Sequence, residues 1–226
     1  MAKSGKASRL MAEGDLRSAP VRQALVEAAI ETLKTDGFSG ASARAIARRA
    51  ECNQALVFYH FGSVVDLLLA ALDSVSTSRL RHYSAAAENV GTLAELVEVA
   101  TTIFLEDLEN GYITVLAEMI AGASSTPGLG LEVAARISPW KRFAEQVINS
   151  VLGGTALGDL IPSGDLAHST VALYLGLELL SHLEGNREAS QALFEHAKRL
   201  TVIAEALGAG GMLGAVAPVP KEEQET

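Results

Sequence analysis

Residues 42–67 read SARAIARRAECNQALVFYHFGSVVDL. Polar Asn53 and Gln54 lead straight into Phe58, Tyr59, His60 and Phe61, in a chain where Phe, Trp and Tyr together make up only 5% of residues. Ser42 is a natural N-cap for a helix over ARAIARRA, about eight residues long and ending at Ala50-Glu51-Cys52. Asn53 is a second N-cap candidate, opening QALVFYHF. Gly62-Ser63 breaks that helix, and Ser63 caps a longer one at 64–88. Two short helices joined by a tight turn, the second starting with polar residues, match the helix-turn-helix plan. In that plan the start of the second helix reaches base edges while apolar residues on its back hold it to the domain. Ile46, Ala47, Ala50, Cys52, Leu56 or Val57, and Phe61 can supply the inner face. Asn53, Gln54 and Tyr59 can supply the outer one. Glutamine can bond adenine bidentately and tyrosine hydroxyls donate to phosphate. The same spacing also describes an ordinary helical hairpin with a polar rim.

Outward from this segment the pattern stays helical. Upstream, apolar positions 21, 25, 28/29, 30 and 33 recur at helical spacing, and TDGF stops that helix at a Gly37 suited to positive φ. Residues 1–15 are small, polar and basic and read as a flexible arm. Downstream, helices are expected at roughly 92–109, 112–122, 129–152, 164–184 and 187–208. Residues 209–226 are Gly/Pro-rich and then charged, which predicts a disordered tail. Abundant Ala and Leu, scarce aromatics and no strand-like alternation make the fold class all-α.

Charge is divided unevenly. The chain of 226 residues carries a net charge of −9, yet residues 1–62 hold nine Lys/Arg against six Asp/Glu, a net +3. Such asymmetry suggests that only the first part meets a polyanion. Cys52 is the single cysteine, so no internal disulfide can form, which fits a reducing cytosol. The first residues, MAKSGKASRL, lack the apolar run of a secretory signal. The longest apolar stretches, such as LLLAAL at 67–72, are far too short to span a bilayer. A cytoplasmic protein with no membrane partner is therefore expected.

Catalytic signatures are missing: there is no Gly-x-Ser-x-Gly, no phosphate loop and no His-Glu-x-x-His, and no acid/base or nucleophile–base arrangement appears. No enzyme is expected, and no cofactor is implied. GLG at 128–130 lacks a preceding strand and is not a dinucleotide fingerprint. His168, His182 and His196 recur every 14 residues. At ~1.5 Å of rise per residue that spacing is about 21 Å along one helix, too far to share an ion, so no metal is expected. Cys52 has no neighbour at ligand spacing and reads as a small buried hydrophobe.

The stretch SARAIARRAECNQALVFYHFGSVVDLL resembles the DNA-binding segment of TetR-family transcriptional regulators, and EAAIETLKTDGFSG resembles the family's first helix and its exit. The matching positions are Ser42, Ile46, Ala47, Ala50, Cys52, Asn53, Ala55, Val57, Phe58, His60, Phe61, Ser63 and Leu67, and the likeness covers residues 20–70. Aromatic-x-His-Phe at the end of a short third helix is its most specific element. The resemblance implies a helix-turn-helix DNA-binding domain at 16–64 followed by a helical ligand-binding and dimerisation domain at 65–208. It implies that Ser42 caps the second helix and bonds phosphate, that Arg44 reaches a guanine, and that Gln54 and Ala55 meet bases. Asn53 and Ser63 fall in the same DNA-facing set. Phe58, Tyr59 and His60 are implied to sit against the DNA backbone and the domain core, where the aromatics anchor a helix too short to hold itself. Three positions depart from the family pattern. Glu51 replaces the turn glycine, Phe58 replaces a tyrosine, and Val64 replaces a lysine at the start of the fourth helix. If Glu51 is left-handed it costs on the order of 1 kcal/mol.

In the second part, the helix at 164–184 is apolar almost all round and should be buried on several sides. The helix at 187–208 has a cleaner stripe. In the family the last two helices form a four-helix dimer interface, which here would use Ala172, Gly176, Leu179, Leu193, Leu200 and Ile203. Helices over 92–152 would then enclose a cavity, with Phe104, Tyr112, Met119, Trp140 and Phe143 as liners and Tyr174 entering from the dimer side. Glu118, in an otherwise apolar helix, could orient a donor or cation there. Core packing, with Glu118 facing water, is the alternative for these residues. The implied function is a ligand-responsive transcriptional repressor that binds a palindromic DNA operator as a homodimer and is released by a small-molecule effector. A protein–protein module, or a cavity enzyme that kept the fold without operator binding, is the competing reading.

Overall fold

The computed structural model describes residues 4–154 and 160–206, with side chains for 19–154 and 160–202. Among these residues there are nine helices and no strand: α1 Ser4–Gly40, α2 Ala43–Arg49, α3 Ala55–Phe61, α4 Val64–Ala87, α5 Leu93–Asn110, α6 Tyr112–Ala123, α7 Leu129–Leu152, α8 Ser163–Glu184 and α9 Glu188–Ala206. From α2 onward the boundaries lie within about two residues of those expected from periodicity. The first helix starts at Ser4, so helical backbone reaches through most of the segment that composition assigned to an arm. The tail at 209–226 and the end of the helix expected to reach 208 lie outside the described residues.

Local chemistry accounts for the breaks. Gly37 interrupts α1 at φ 70 and ψ −178, a region essentially reserved for glycine. Space there is also short, since a Cβ on Gly37 would lie 2.8 Å from Glu118 Oε2. That carboxylate accepts a 2.7 Å hydrogen bond from the Phe38 backbone N–H. At the start of α5, Thr92 and Glu95 form a reciprocal capping box. The Glu95 N–H donates to Thr92 Oγ1, and Glu95 Oε2 accepts from the N–H groups of Gly91 and Thr92. These bonds hold the exposed Glu95 carboxyl below its ordinary pKa.

The described residues form two compact units, one within 1–81 and 107–138 and the other within 82–106 and 139–206. The first takes in α6 and the start of α7, so its packing continues past residue 64. Leu25, Ala29 and Leu33 of α1, Ile46 of α2, Val57 of α3, Leu67 and Leu68 of α4 and Met119 of α6 are buried together in its core. Two further contacts bind α1 to α6 inside this unit. The Phe38 ring lies over Gly122, where a Cβ would stand 2.5 Å from the ring. Arg79, paired with the buried Asp107, and Lys34 both lie over the ring of Tyr112. In the second unit, Ile148 and Leu152 of α7 pack with Ala167 of α8. Buried Ser181 and Ser190 share a 2.9 Å hydrogen bond. The division of α7 falls at Pro139, whose ring removes one helical hydrogen bond. Among the described residues no single helix is long and apolar enough to cross a membrane.

The bond from Phe38 to Glu118 is charge-assisted and partly buried, so Glu118→Ala should lower unfolding stability by ~1.5–3 kcal/mol. Glu118→Gln keeps an amide oxygen for the same N–H and should retain at least half of that. Urea unfolding measures both, and midpoints equal to the parent's in both variants would show that this bond adds nothing to the fold.

Candidate nucleic-acid interface

The turn between α2 and α3 is closed by its own backbone. The Cys52 N–H donates to Ala47 O at 2.9 Å and the Glu51 N–H donates to Arg48 O at 3.3 Å. This pair of bonds is the Schellman arrangement, whose next-to-last position is left-handed and usually glycine. Glu51 occupies it at φ 52 and is the only described non-glycine residue with positive φ. Cys52 packs half-buried against the core beyond the turn, and burial raises its thiol pKa. The flanking caps form as their residue types predict. Ser42 Oγ accepts from the Ala45 N–H at 3.2 Å, and Asn53 Oδ1 accepts from the Ala55 N–H at 2.8 Å. Ser63 Oγ accepts from the Asp66 N–H and donates back to Asp66 Oδ2 at 2.6 Å.

The helix α3 has two distinct faces. Val57 is fully buried, and Leu56 and Phe61 pack behind it. Gln54, Ala55, Phe58 and Tyr59 are exposed, Phe58 by 52% and Tyr59 by 77%. The aromatics therefore do not all anchor the helix as expected. Phe61 does so with Val57, because Phe58 and Tyr59 project from the opposite side. His60 is half-buried, with its ring against Tyr59 at 4.9 Å and Phe61 at 6.4 Å.

The nearby arginines divide in the same way. Arg49, though exposed, reaches back to α1, donating to Thr32 Oγ1 at 2.8 Å and Thr35 Oγ1 at 3.0 Å, with Asp36 at 3.7 Å. It ties α2 to α1. Arg44 and Arg48 are exposed. Arg22 of α1, which the motif reading passed over, is exposed with its guanidinium 4.8 Å from the Phe61 ring centroid. Its distance from the motif in sequence hid it. An exposed outer helix face, a closed turn and cations at the rim make α2 and α3 a helix-turn-helix unit.

Residues 25–71 match the family model for bacterial regulatory proteins of the tetR family. The N-terminal domain belongs to the TetR family. The fold extends this likeness along the chain. A TetR-family transcriptional regulator from Cytophaga hutchinsonii is 19% identical, with a TM-score of 0.66 over 82% of this chain and 95% of that one. The fatty acid degradation regulator FadR from Bacillus halodurans is 12% identical, with a TM-score of 0.66 over 80% and 94%. The multidrug binding protein EbrR, complexed with imidazole, is 19% identical, with a TM-score of 0.56 over 90% and 98%. Among curated proteins none matches the sequence.

Beyond the TetR-type domain's reading face, the residues considered as pocket liners divide between the two units. Tyr112, Glu118 and Met119 lie in the first unit; Phe104, Trp140, Phe143 and Tyr174 lie in the second. Met119 is fully buried in the first core, and the half-buried Glu118 carboxylate accepts the Phe38 N–H. In the second unit the rings group together. Phe104 meets Tyr174 at 6.0 Å and Phe194 at 5.0 Å, while Trp140 meets Phe143 and Tyr83, each at 6.3 Å. Phe194 and Tyr83 were not singled out in the sequence, though each is a rare aromatic within a helical stripe. The expected burial of α8 is incomplete within one chain. Ala172, Leu179, Leu193 and Leu200 are exposed, as are Leu173, Leu180 and Leu183. Gly176 is half-buried, with nothing within 4 Å of where a Cβ would stand. The side chain of Ile203 is outside the described ones.

The left-handed turn position yields a stability prediction. Glu51→Gly removes a strain of ~1–2 kcal/mol and adds back ~0.5–1 kcal/mol of glycine's chain entropy. A net gain of roughly 0.5–1 kcal/mol should raise Tm by about 1–4 °C in a chain of this size. Calorimetry showing a lower Tm for Glu51→Gly would mean that the Glu51 side chain supports the turn.

Proposed function

We propose that the chain is a ligand-responsive transcriptional repressor that binds a palindromic operator as a homodimer and leaves it when a small molecule binds. The observation that carries this reading is the TetR-family helix-turn-helix, with its core-bound α3 presenting Gln54, Ala55, Phe58 and Tyr59 outward. In this reading Arg44 and Gln54 meet bases, and Ser42, Asn53, Tyr59, His60 and Ser63 lie along the DNA backbone. The Ser63 hydroxyl hydrogen already serves Asp66, so Ser63 would give up that bond to donate to a phosphate. Arg22 and Arg48 supply rim charge to the phosphates.

Exposed leucines on α8 and α9 support the dimer. An apolar surface of that kind on two adjacent helices marks an interaction site, and a two-fold axis there would pair the reading heads. Aromatic residues of the second unit, Phe104, Trp140, Phe143 and Tyr174, are the proposed surroundings of an apolar effector. EbrR, a multidrug binding protein of the same fold, supports the reading that a chain of this fold can bind an effector. The protein acts in the cytoplasm, where its DNA lies. An electrophoretic mobility shift against the gene's own upstream region, with and without a metabolite panel, tests the whole proposal. A specific shift that a metabolite reverses supports it, and the absence of any shift favours a protein–protein module that kept the fold.

Three substitutions separate its parts. Arg44→Ala and Gln54→Ala should each lose ~1–3 kcal/mol of operator affinity with unchanged circular dichroism; parental affinity in both would remove them from base contact. Gly176→Arg meets no atom of its own chain at the new Cβ, so the protomer should fold normally while the dimer fails. Sedimentation should then report a monomer, and a persistent dimer would exclude this stretch of α8 from the interface.

A further inference from the structure

The outer surface of α3 is chemically unusual for a helix that meets a polyanion. Between Ala55 and Phe61 it carries no Lys, Arg, Asp or Glu. At ~100° of rotation per residue Phe58 and Tyr59 fall on either side of the line that runs up the helix from Ala55, and Gly62, at φ 80, ends the helix. Ala55, Phe58 and Tyr59 thus present an apolar, largely aromatic strip to solvent, with Phe58 52% and Tyr59 77% exposed. Neither ring is needed inside, because Val57 and Phe61 already fill the inner face. Charge stands at the rim instead, on Arg22, Arg44 and Arg48, all exposed. An apolar strip between cationic edges suits a surface whose edges are phosphate and whose floor offers an apolar group. In the major groove that apolar group is the C5 methyl of thymine.

We infer that Phe58 is a specificity-determining residue that reads a thymine methyl, so that the half-site under α3 carries thymine at one or two defined steps. This rests on the operator reading above and adds the identity of the bases. Gln54, one turn before Phe58 on the same exposed surface, offers an amide suited to adenine N6 and N7. The two residues together select A·T pairs without a guanidinium on α3. Phenylalanine serves this role because it has no hydroxyl to desolvate against a methyl group.

The test changes the DNA rather than the protein fold. Duplexes are enriched from a randomised pool by the full-length chain, and each thymine of the recovered half-site is replaced singly by deoxyuridine. This keeps the base pair and removes only the methyl. At the step read by Phe58, affinity should fall about fourfold, the equivalent of ~0.8 kcal/mol for one buried methyl-sized group. Phe58→Ala should bind the thymine duplex several-fold more weakly and should no longer distinguish thymine from deoxyuridine at that step. Indifference of the parent chain to every deoxyuridine replacement overturns the inference, as does undiminished sensitivity in Phe58→Ala. In both cases the enriched sequence leaves operator binding standing. Failure to enrich any sequence removes the operator reading, and the inference with it.

Discussion

Helices of seven residues do not hold themselves together in water, and both α2 and α3 are that short. Everything on the reading face depends on how this constraint is met. Each helix has a side-chain oxygen at its start, from Ser42 and Asn53. The turn between them satisfies two carbonyls of α2 through the N–H groups of Glu51 and Cys52. Burial then adds the larger share, with Ile46 and Val57 fully enclosed, each contributing ~1.5–3 kcal/mol relative to exposure. Because the inner face alone supplies this burial, the outer face of α3 is relieved of any structural duty. Phe58 and Tyr59 can stand in solvent only because Val57 and Phe61 do not.

The same economy explains the end of α1. Gly37 adopts a conformation closed to other residues, which turns Phe38 so that its N–H meets Glu118 and its ring meets Gly122. A second glycine is needed at 122 because the ring leaves no room for a Cβ. Two glycines and one carboxylate thus seat α6 on the helix that carries the helix-turn-helix. The compact unit that results runs past the motif itself and includes residues 107–138.

Electrostatics and apolar surface are sorted along the chain. Cations cluster around α2 and α1, and one of them, Arg49, is diverted to internal bonds with Thr32 and Thr35. At the other end, α8 and α9 expose leucines where a free monomer would gain from polar residues. The cationic surface and the exposed leucines are thus features of different helices, and the proposed operator contact and the proposed dimer rest on them separately.

Helix positions from α2 onward, the two caps at Ser42 and Asn53 and the helix-turn-helix were legible in the residues, and the resemblance pointed to Glu51 as a position strained if left-handed. They depend on interactions within a few positions of chain, so local pattern carries them. Which aromatic anchors and which projects was not legible, since Phe58 and Phe61 are alike in composition and differ only in the face that the core of α1 and α4 takes. Glu118 could not be assigned from its apolar neighbours, because its partner is the Phe38 N–H, 80 residues away. Arg22 meets Phe61 across 39 residues and Phe104 meets Phe194 across 90, again beyond the reach of local pattern. Short-range spacing thus determined the elements and the motif. Contacts between helices far apart in the chain decided which side chains remained at the surface to act, because burial is a property of packing and not of any one segment.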